Sequence, residues 1–319
     1  MLRELEPLAA SPAAYAFVVL LGLLWGSFAN VCIYRWPPTD EFPGGRSVVT
    51  PGSHCFACKA PIRWYDNVPL ASWLWLRGRC RACGARFSMR YLVVEALTGA
   101  LFAVAWWATT ADLPAELRGL VHAEPFDVRL IRFAICAAFC VVMVVITFID
   151  LDHKLILNKV TVPSIAVFYV LGLLLPERAW WEGLVGVAVG YGVPWAIGEG
   201  YYRLTGRDGL GLGDGMLLAL VGALLGWEGV LGALFGGALL GSVIGGAVLA
   251  IARWRRQDSQ VAPETTPAAE PGDTAADAAD AAPSLMRTEV PFGPFLAMAA
   301  VFYLYAEPWI QLHFRFPGG

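Results

Sequence analysis

The chain has 319 residues, of which 57% are hydrophobic and only 15% are charged, and its mean hydropathy is +0.58. Soluble domains carry roughly 45–50% apolar and about 25% charged residues, so this composition excludes a soluble globular protein. The formal net charge of −3 provides no positive field for phosphates, which excludes a nucleic-acid partner. Because the apolar residues are gathered in long runs, we predict a polytopic protein of the lipid bilayer.

Eight apolar segments approach the roughly 20 residues that a transmembrane helix requires. They lie at about residues 13–34, 92–109, 130–149, 161–176, 183–199, 215–227, 230–252 and 292–306. We therefore predict an all-α polytopic membrane protein with about eight transmembrane helices. In the seventh segment, Gly237, Gly241 and Gly245 repeat every four residues, a spacing typical of closely packed membrane helices.

The loop between the first two segments is predicted to face the cytoplasm. From Arg35 to Arg90 it contains nine Lys and Arg residues but only three Asp and Glu residues, and positively charged loops stay on the cytoplasmic side. The later loops then alternate, which places residues 150–160, 200–214 and 253–289 on this same side. The last of these loops is rich in Ala, Pro and Asp, and we predict that it forms a disordered acidic insert.

The first loop also carries four cysteines in two C-x₂-C pairs, Cys55 with Cys58 and Cys80 with Cys83. Two such pairs supply four thiolates, the ligand set of a tetrahedral structural zinc site. The alternatives are free thiols and a disulfide or redox pair, which a cytoplasmic position disfavours. We predict structural zinc in a small zinc-ribbon-like domain, where four protein ligands leave no open position for catalysis.

Two aspartates lie where predicted helices meet the cytoplasmic face. Asp150 ends the third segment and Asp214 begins the sixth, so the topology places both at one depth. A carboxylate at the bilayer centre is unfavourable by about 2.5–3.5 kcal/mol. At the interface the free-energy cost is smaller, but a carboxylate there still indicates a specific role. Two adjacent carboxylates share a proton and act as general base and general acid. We predict an aspartyl protease with Asp150 and Asp214 as its catalytic residues.

Three glycines, Gly209, Gly211 and Gly213, precede Asp214. Backbone without side chains permits close approach of an extended peptide, so we predict a substrate-approach loop here. The helix dipole favours the anion at Asp214, at a helix N-terminus, and disfavours it at Asp150, at a C-terminus. On this argument, Asp150 holds the shared proton and Asp214 is the better base.

Other interpretations stay open at this point. Each aspartate alone is compatible with a helix cap or with a helix end that faces water. Paired carboxylates among membrane helices also occur in proton- or ion-coupled transporters, and the four-cysteine loop is compatible with a scaffold that binds partners. Glu95, at the start of the second segment, is predicted to be an interface carboxylate that pairs with Arg90 or Arg35, with a role near the active site as the alternative.

Five blocks of the sequence, in order, resemble a known family. They are GSFANVCIYR at 26–35, the four-cysteine loop, IDLDHKLI at 149–156, DGLGLGDGMLL at 208–218 and VPFGPFLA at 290–297. The chain resembles the type 4 prepilin peptidases, which are bifunctional leader peptidases and N-methyltransferases of pilus assembly and type II secretion. The catalytic aspartates of that family fall on Asp150 and Asp214.

The resemblance implies a bacterial inner-membrane enzyme that cleaves prepilin or pseudopilin precursors at the cytoplasmic face, after a glycine. It also implies methylation of the new N-terminus with S-adenosylmethionine, for which the sequence assigns no residues. The chain departs from the family at Leu157 and Asn158, where Pro-Asp is common, and at Met216, where lysine is common. None of these changes removes a carboxylate.

These observations together predict five regions. They are a first transmembrane span at 1–35, a cytoplasmic four-cysteine domain associated by resemblance with methyl transfer at 36–91, a transmembrane peptidase core at 92–252, the disordered acidic insert at 253–289, and the last span with the C-terminus at 290–319. The oligomeric state does not follow from the sequence.

Overall fold

The computed structural model describes residues 6–110, 125–176, 178–206, 211–260 and 291–314. The helices are α1 (Glu6–Ala9), α2 (Pro12–Arg35), α3 (Ala71–Trp75), α4 (Arg90–Thr110), α5 (Phe126–His153), α6 (Asn158–Gly172), α7 (Trp180–Thr205), α8 (Leu212–Gln260) and α9 (Gly293–Phe314), with a 3₁₀ helix at Trp64–Asn67. Within the described ranges, β-structure is limited to isolated bridges. The predicted all-α fold is confirmed.

Local signals in the sequence set the ends of several helices. The Ser11 side chain accepts the backbone N–H of Ala14 at 3.2 Å and so caps α2, which begins with proline. At the end of α5, Lys154 adopts a left-handed conformation with φ 50° and donates its backbone N–H to the Asp150 carbonyl oxygen at 2.8 Å. This cap ends α5 so that Asp150 lies in its last turn.

Helix α8 consists of two arms joined at Gly226. The φ of Gly226 is 70°, a conformation that favours glycine. The starts of α8 and α9 both pack on Ile156, and Gly241 in the second arm packs on Phe295 near the start of α9. The first arm (212–225) therefore runs away from the start of α9, and the second arm runs back toward it.

Each of the eight predicted segments coincides with a helix or with one arm of α8. Among the described residues, four helices are long and apolar enough to cross a membrane: Pro12–Arg35, Arg90–Thr110, Phe126–His153 and Leu212–Ala247. The apolar helix Gly293–Glu307 is shorter. The chain is thus a multi-pass membrane protein, and the number of eight spans stays a prediction.

The predicted acidic insert is only partly described. Helix α8 continues to Gln260, so residues 253–260 are helical, contrary to the prediction of disorder there. The helix thus extends past residue 252, where the sequence changes from apolar to polar. Residues 261–290 lie outside the described part of the chain.

The core of the bundle lies around α5. Its buried side chains, including Phe139 and Met143, pack with residues of α8 and α9 such as Leu217 and Leu296. On α2, by contrast, Phe17 is 66% exposed. An apolar side chain in this position is expected of a helix that faces lipid, because lipid tails are as apolar as a protein core.

Ion pairs mark the two ends of the bundle. At one end, Arg90 at the start of α4 pairs with Asp152 at the end of α5. At the other end, Arg129 near the start of α5 pairs with Glu6 of α1. The helix ends that the sequence places on the cytoplasmic side therefore share one end of the bundle, and its orientation in the membrane stays a prediction.

Helices α7 and α8 cross with their backbones in contact. A Cβ atom built on Gly186 would overlap the Gly222 carbonyl group, and a Cβ built on Gly222 would overlap that of Gly186. Small residues permit such close crossings in membranes. In the glycine repeat of the second arm of α8, Gly237 and Gly241 pack on α9 as that spacing suggests, whereas a Cβ on Gly245 would meet nothing within 4 Å.

We expect the Gly186→Ala substitution to destabilise the bundle by about 1–3 kcal/mol, because the added methyl group forces α7 and α8 apart. Thermal unfolding of the detergent-solubilised protein measures the change. The matched control is Gly192→Ala on the same helix, where a Cβ would meet nothing within 4 Å. Equal melting temperatures for the two variants would contradict the close crossing.

Candidate active site and metal centre

Asp150 lies in the last turn of α5 and is only 5% exposed. Its carboxylate accepts the backbone N–H of Gly293, the first residue of α9. A Cβ atom at position 293 would come within 2.5 Å of Asp150 Oδ2, so the close approach requires glycine. The start of α9 therefore holds this carboxylate in place.

Asp214 lies half-buried in the first turn of α8. Its backbone N–H donates to the Gly211 carbonyl oxygen at 3.1 Å. The next residue, Gly215, faces α7, where a Cβ would lie 3.5 Å from Tyr191 Cδ2 and 3.6 Å from Pro194 Cβ. Packing on α7 thus fixes the turn that carries Asp214.

Ile156, in the turn between α5 and α6, packs against the surroundings of both aspartates. A Cβ built on Gly213 would lie 3.2 Å from Ile156 Cβ, and one built on Gly293 would lie 3.3 Å from Ile156 Cδ1. The Asp150 and Asp214 carboxylates are close enough to repel each other electrostatically. The structure therefore brings them to one end of the bundle across 63 intervening residues, and proton sharing between them stays a prediction.

The predicted difference between the two aspartates loses its physical basis. Asp150 is at the C-terminus of α5, but it also lies at the N-terminus of α9 through its contact with Gly293. Both carboxylates thus face a helix N-terminus, where a dipole favours an anion. The sequence could not reveal this, since the contact joins residues 143 positions apart. The helix dipole therefore no longer distinguishes acid from base.

The glycine loop before Asp214 is described in part. Gly209 lies outside the described residues. Gly211 is exposed, and a Cβ built on it would lie 3.6 Å from Asp214 Oδ2. Gly213 packs on Ile156, so it has a structural role that the sequence did not indicate. A role for the loop in substrate approach stays a prediction.

Glu95 has a partner other than the predicted arginines. Its Oε2 accepts the backbone N–H of Leu70 at 2.8 Å. Arg90 pairs instead with Asp152, and Arg35 donates to two backbone carbonyl oxygens of the loop that follows α2. The predicted ion pair is therefore wrong, because the loop folds back and presents its own backbone to Glu95.

The segment between α2 and α4, residues 36–89, is called the ribbon here. Residues 53–62 and 78–87 within it fold into two equivalent turns, the knuckles. The first cysteine of each knuckle, Cys55 or Cys80, donates its backbone N–H to the carbonyl five residues later, at 2.9 and 2.8 Å. The residue after the second cysteine has a positive φ in both knuckles. The repeated geometry directs both cysteine pairs toward one point.

The four cysteine sulfur atoms form a cluster in which all lie within 4.8 Å of one another. The distance is 3.8 Å between the Sγ atoms of Cys55 and Cys83, and 4.0 Å between those of Cys58 and Cys80. A tetrahedral zinc ion with bonds of about 2.3 Å to sulfur requires sulfur atoms roughly 3.8 Å apart. All four cysteines are free thiols, so the disulfide alternative is not observed and the cluster fits zinc.

Local electrostatics also suit a metal site. The backbone N–H of Cys58 lowers the pKa of the Cys55 thiol to about 6, whereas the neighbouring cysteines raise the pKa of Cys83. A metal binds the thiolate form. Arg81, in the second knuckle, donates to the Asp66 carboxylate at 2.5 Å, which holds the pKa of Asp66 below its usual value. When bound, zinc would link the two knuckles and stabilise the ribbon.

We expect the purified protein to hold about one zinc per chain, and Cys80→Ser to reduce this below about 0.1, because three thiolates bind zinc far more weakly. Metal analysis measures the content, and trypsin digestion reports the loosened ribbon. Cys32→Ala is the control, since Cys32 is buried in α2 away from the cluster. Normal zinc content in Cys80→Ser would contradict the assignment.

Comparison with known proteins agrees with this geometry. The bacterial peptidase A24 N-terminal domain matches residues 20–109, and the type IV leader peptidase family matches residues 137–246. The prepilin leader peptidase/N-methyltransferase of Myxococcus xanthus (strain DK1622) is 32% identical over 94% of this chain and 92% of its own length. The chain belongs to the type IV leader peptidase family.

Other members of the type IV leader peptidase family are similarly close. The prepilin leader peptidase/N-methyltransferase of Stutzerimonas stutzeri is 31% identical over 93% of both chains. That of Aeromonas salmonicida (strain A449) is 33% identical over 72% of this chain and 80% of its own. No solved structure gives a significant match. The resemblance read from the five sequence blocks is confirmed.

Family membership also bears on the site and the membrane. The A24 N-terminal match contains the four cysteines, and the type IV leader peptidase match contains Asp150 and Asp214. Together with the apolar helices, family membership indicates a multi-pass protein of the inner membrane. Gly293 lies beyond both matches, and its contact with Asp150 could not be predicted although the residue is part of the VPFGPFLA block.

Proposed function

We propose that the protein is an aspartyl endopeptidase that removes the leader peptide of prepilins and pseudopilins at the cytoplasmic membrane face, and that it then N-methylates the new N-terminus. The observation that carries this proposal is the approach of Asp150 and Asp214 at one end of the bundle. It occurs in a chain similar over most of its length to prepilin leader peptidase/N-methyltransferases.

The carboxylate pair supports hydrolysis by general acid–base catalysis. The ionised carboxylate removes a proton from water, whose oxygen attacks the carbonyl carbon, while the protonated carboxyl group gives its proton to the carbonyl oxygen. When the tetrahedral intermediate collapses, the first group protonates the leaving amine nitrogen and the second regains a proton from the intermediate. One water is consumed, and the pair again shares one proton.

Backbone groups position this pair. The Gly293 N–H directs the Asp150 carboxylate, and a contact of this kind leaves the other carboxylate oxygen available. Asp214 is half-buried and Gly211 beside it is exposed, so water and an extended peptide reach the site from this side. Polar groups that are already fixed in place lower the free-energy cost of reorienting dipoles around the charge that develops in the transition state.

Methylation acts on the amine that cleavage exposes, so the two activities operate in sequence on one substrate. S-Adenosylmethionine supplies an electrophilic methyl group when it is bound. Cys55, Cys58, Cys80 and Cys83 would hold zinc with four protein ligands, so the metal would contribute structure rather than chemistry. The ribbon, which zinc would stabilise, is joined to α4 by the Leu70–Glu95 hydrogen bond.

A peptide assay in detergent tests the proposal. The purified protein is incubated with a peptide that spans a prepilin leader junction, with S-adenosylmethionine, and the products are identified by mass. We expect two fragments, the C-terminal one heavier by one methyl group. An intact peptide after prolonged incubation, with zinc content and melting temperature normal, would overturn the proposed peptidase.

The transporter alternative predicts a different outcome. A proton- or ion-coupled transporter acts only across a sealed membrane, whereas a peptidase cleaves in micelles. Family membership gives the transporter no support. A scaffold would show neither activity, so the same assay separates all three functions.

A further inference from the structure

Two adjoining cavities lie between the ribbon and the helix ends. The ribbon cavity has a volume of about 220 Å³ and is lined by the ribbon with the ends of α2 and α4. The helix-end cavity, of about 540 Å³, reaches Asp152 and His153 at the end of α5. Four residues line both cavities: Asn30, Tyr34, Phe56 and Tyr91. The cavities therefore connect the ribbon with the end of the helix that carries Asp150.

Aromatic side chains form one wall of the ribbon cavity. They are Tyr34, Phe56, Trp73, Phe87 and Tyr91. The Phe87 ring centroid lies 5.8 Å from that of Phe56 and 6.5 Å from that of Tyr91, both edge to face. Aromatic faces stack on nucleobases and attract cations, so this wall suits a ligand that carries a base and a positive charge.

The Trp73 indole N–H lacks a partner. Its nitrogen is buried, and among the described residues it has no hydrogen-bond acceptor. Trp73 lines the ribbon cavity. Buried donors in native proteins are nearly always paired, and each exception calls for an explanation. A ligand with a nitrogen or oxygen acceptor would satisfy this donor.

Glu95 contributes a carboxylate to the lining of the ribbon cavity. It is 9% exposed. It lies one helical turn after Tyr91, which lines both cavities, and residues four apart share a helix face. One of its oxygens accepts the Leu70 N–H, and a carboxylate has further acceptor capacity. A buried carboxylate here favours the cationic part of a ligand, while Arg35 and Arg79, which also line this cavity, suit an anionic part.

We propose that the ribbon cavity binds the adenosyl group of S-adenosylmethionine, a proposal that rests on the methyltransferase part of the proposed function. The adenine stacks on the aromatic wall and accepts the Trp73 N–H, and the sulfonium lies beside Glu95. The ribbon cavity is smaller than the roughly 300–1,000 Å³ of ligand sites, so the methionine part extends into the helix-end cavity. The methyl group of S-adenosylmethionine would then face the end of α5, where cleavage exposes the amine.

Calorimetric titration of the full-length protein in detergent tests the site with two probes. S-Adenosylmethionine carries the sulfonium charge, and S-adenosylhomocysteine is the same ligand without it. We expect Trp73→Phe, which keeps a ring but removes the N–H, to raise the Kd of both probes about fivefold or more. We expect Glu95→Gln, which keeps an acceptor for Leu70, to raise the Kd of S-adenosylmethionine at least tenfold and that of S-adenosylhomocysteine less.

Trp75→Phe is the matched control, because Trp75 is on the same short helix but 82% exposed. Its Kd values should stay within about twofold of those of the unaltered protein. Zinc content, measured on every variant, identifies any that fail to fold. Kd values for Trp73→Phe and Glu95→Gln equal to those of Trp75→Phe would overturn the site.

Leader cleavage and peptide methylation by the unaltered protein are measured in parallel. If it methylates the peptide while the Trp73 and Glu95 variants bind normally, the site is wrong and the proposed function stands. If both probes bind as expected but the peptide stays intact, the proposed peptidase fails while this site stands. If the unaltered protein binds neither probe, the site is wrong.

Discussion

Asp150→Asn and Asp214→Asn should each lower the rate of leader cleavage by at least about 1,000-fold, while zinc content and melting temperature change little. General acid–base groups contribute about 10²–10⁴-fold each, and an amide can neither take a proton from water nor share one with the remaining carboxylate. Cleavage of a prepilin-like peptide, followed by mass, measures the loss. Asn has nearly the same shape as Asp, so packing around Gly293 and Ile156 is retained.

Asp127→Asn provides the control for this experiment. Asp127 lies in the first turn of α5, at the end of the helix opposite Asp150, and is exposed. Its loss removes only a favourable interaction with the helix dipole, worth about 0.3–1 kcal/mol. Normal cleavage by either Asp150→Asn or Asp214→Asn would show that the carboxylate pair is not the catalytic group.

Gly293→Ala should lower kcat for cleavage by about 100-fold or more with KM little changed. The added Cβ would come within 2.5 Å of Asp150 Oδ2 and 3.3 Å of Ile156 Cδ1, so the carboxylate must turn away from the backbone N–H that holds it. A displacement of about 1 Å at a catalytic group costs on the order of 10²-fold. Substrate binding along the glycine loop is unaffected, which leaves KM near its normal value.

The destabilisation expected from Gly293→Ala is small, because the side chain that must give way is the Asp150 carboxylate at the edge of the core. Alanine also favours a helix by about 1 kcal/mol over glycine. Gly245→Ala serves as the control, since a Cβ there meets nothing within 4 Å. If Gly293→Ala cleaves at the normal rate, Gly293 does not position Asp150. If it merely unfolds, its melting temperature will fall with its activity.

The sequence predicted the elements well because long apolar runs and local caps determine them. Each predicted segment falls on a helix or an arm of α8, and the four cysteines meet as their spacing suggests. Both features depend on residues near one another in the chain. The two aspartates were also found, since charge in an apolar segment is rare enough to require an explanation.

The contacts between helices were harder to predict, for a physical reason. A membrane helix is apolar toward lipid as well as toward its neighbours, so hydrophobic periodicity does not reveal which face packs. The Gly186–Gly222 crossing and the Gly293–Asp150 contact depend on helix rotation and register. The partner of Glu95 was missed because it is a backbone N–H of the ribbon. Nearly every residue has such a group, so residue types do not show which one donates.

The turn at Gly226 has a consequence for how this protein tolerates change in length. Since the second arm of α8 returns toward the start of α9, the chain leaves the bundle and re-enters it on one side. A connection whose two ends lie on one side of the bundle does not have to cross the bundle, and its closure entropy grows only slowly with added residues. Evolution is therefore free to lengthen, shorten or recompose this stretch while Asp214 and Gly293 keep their places.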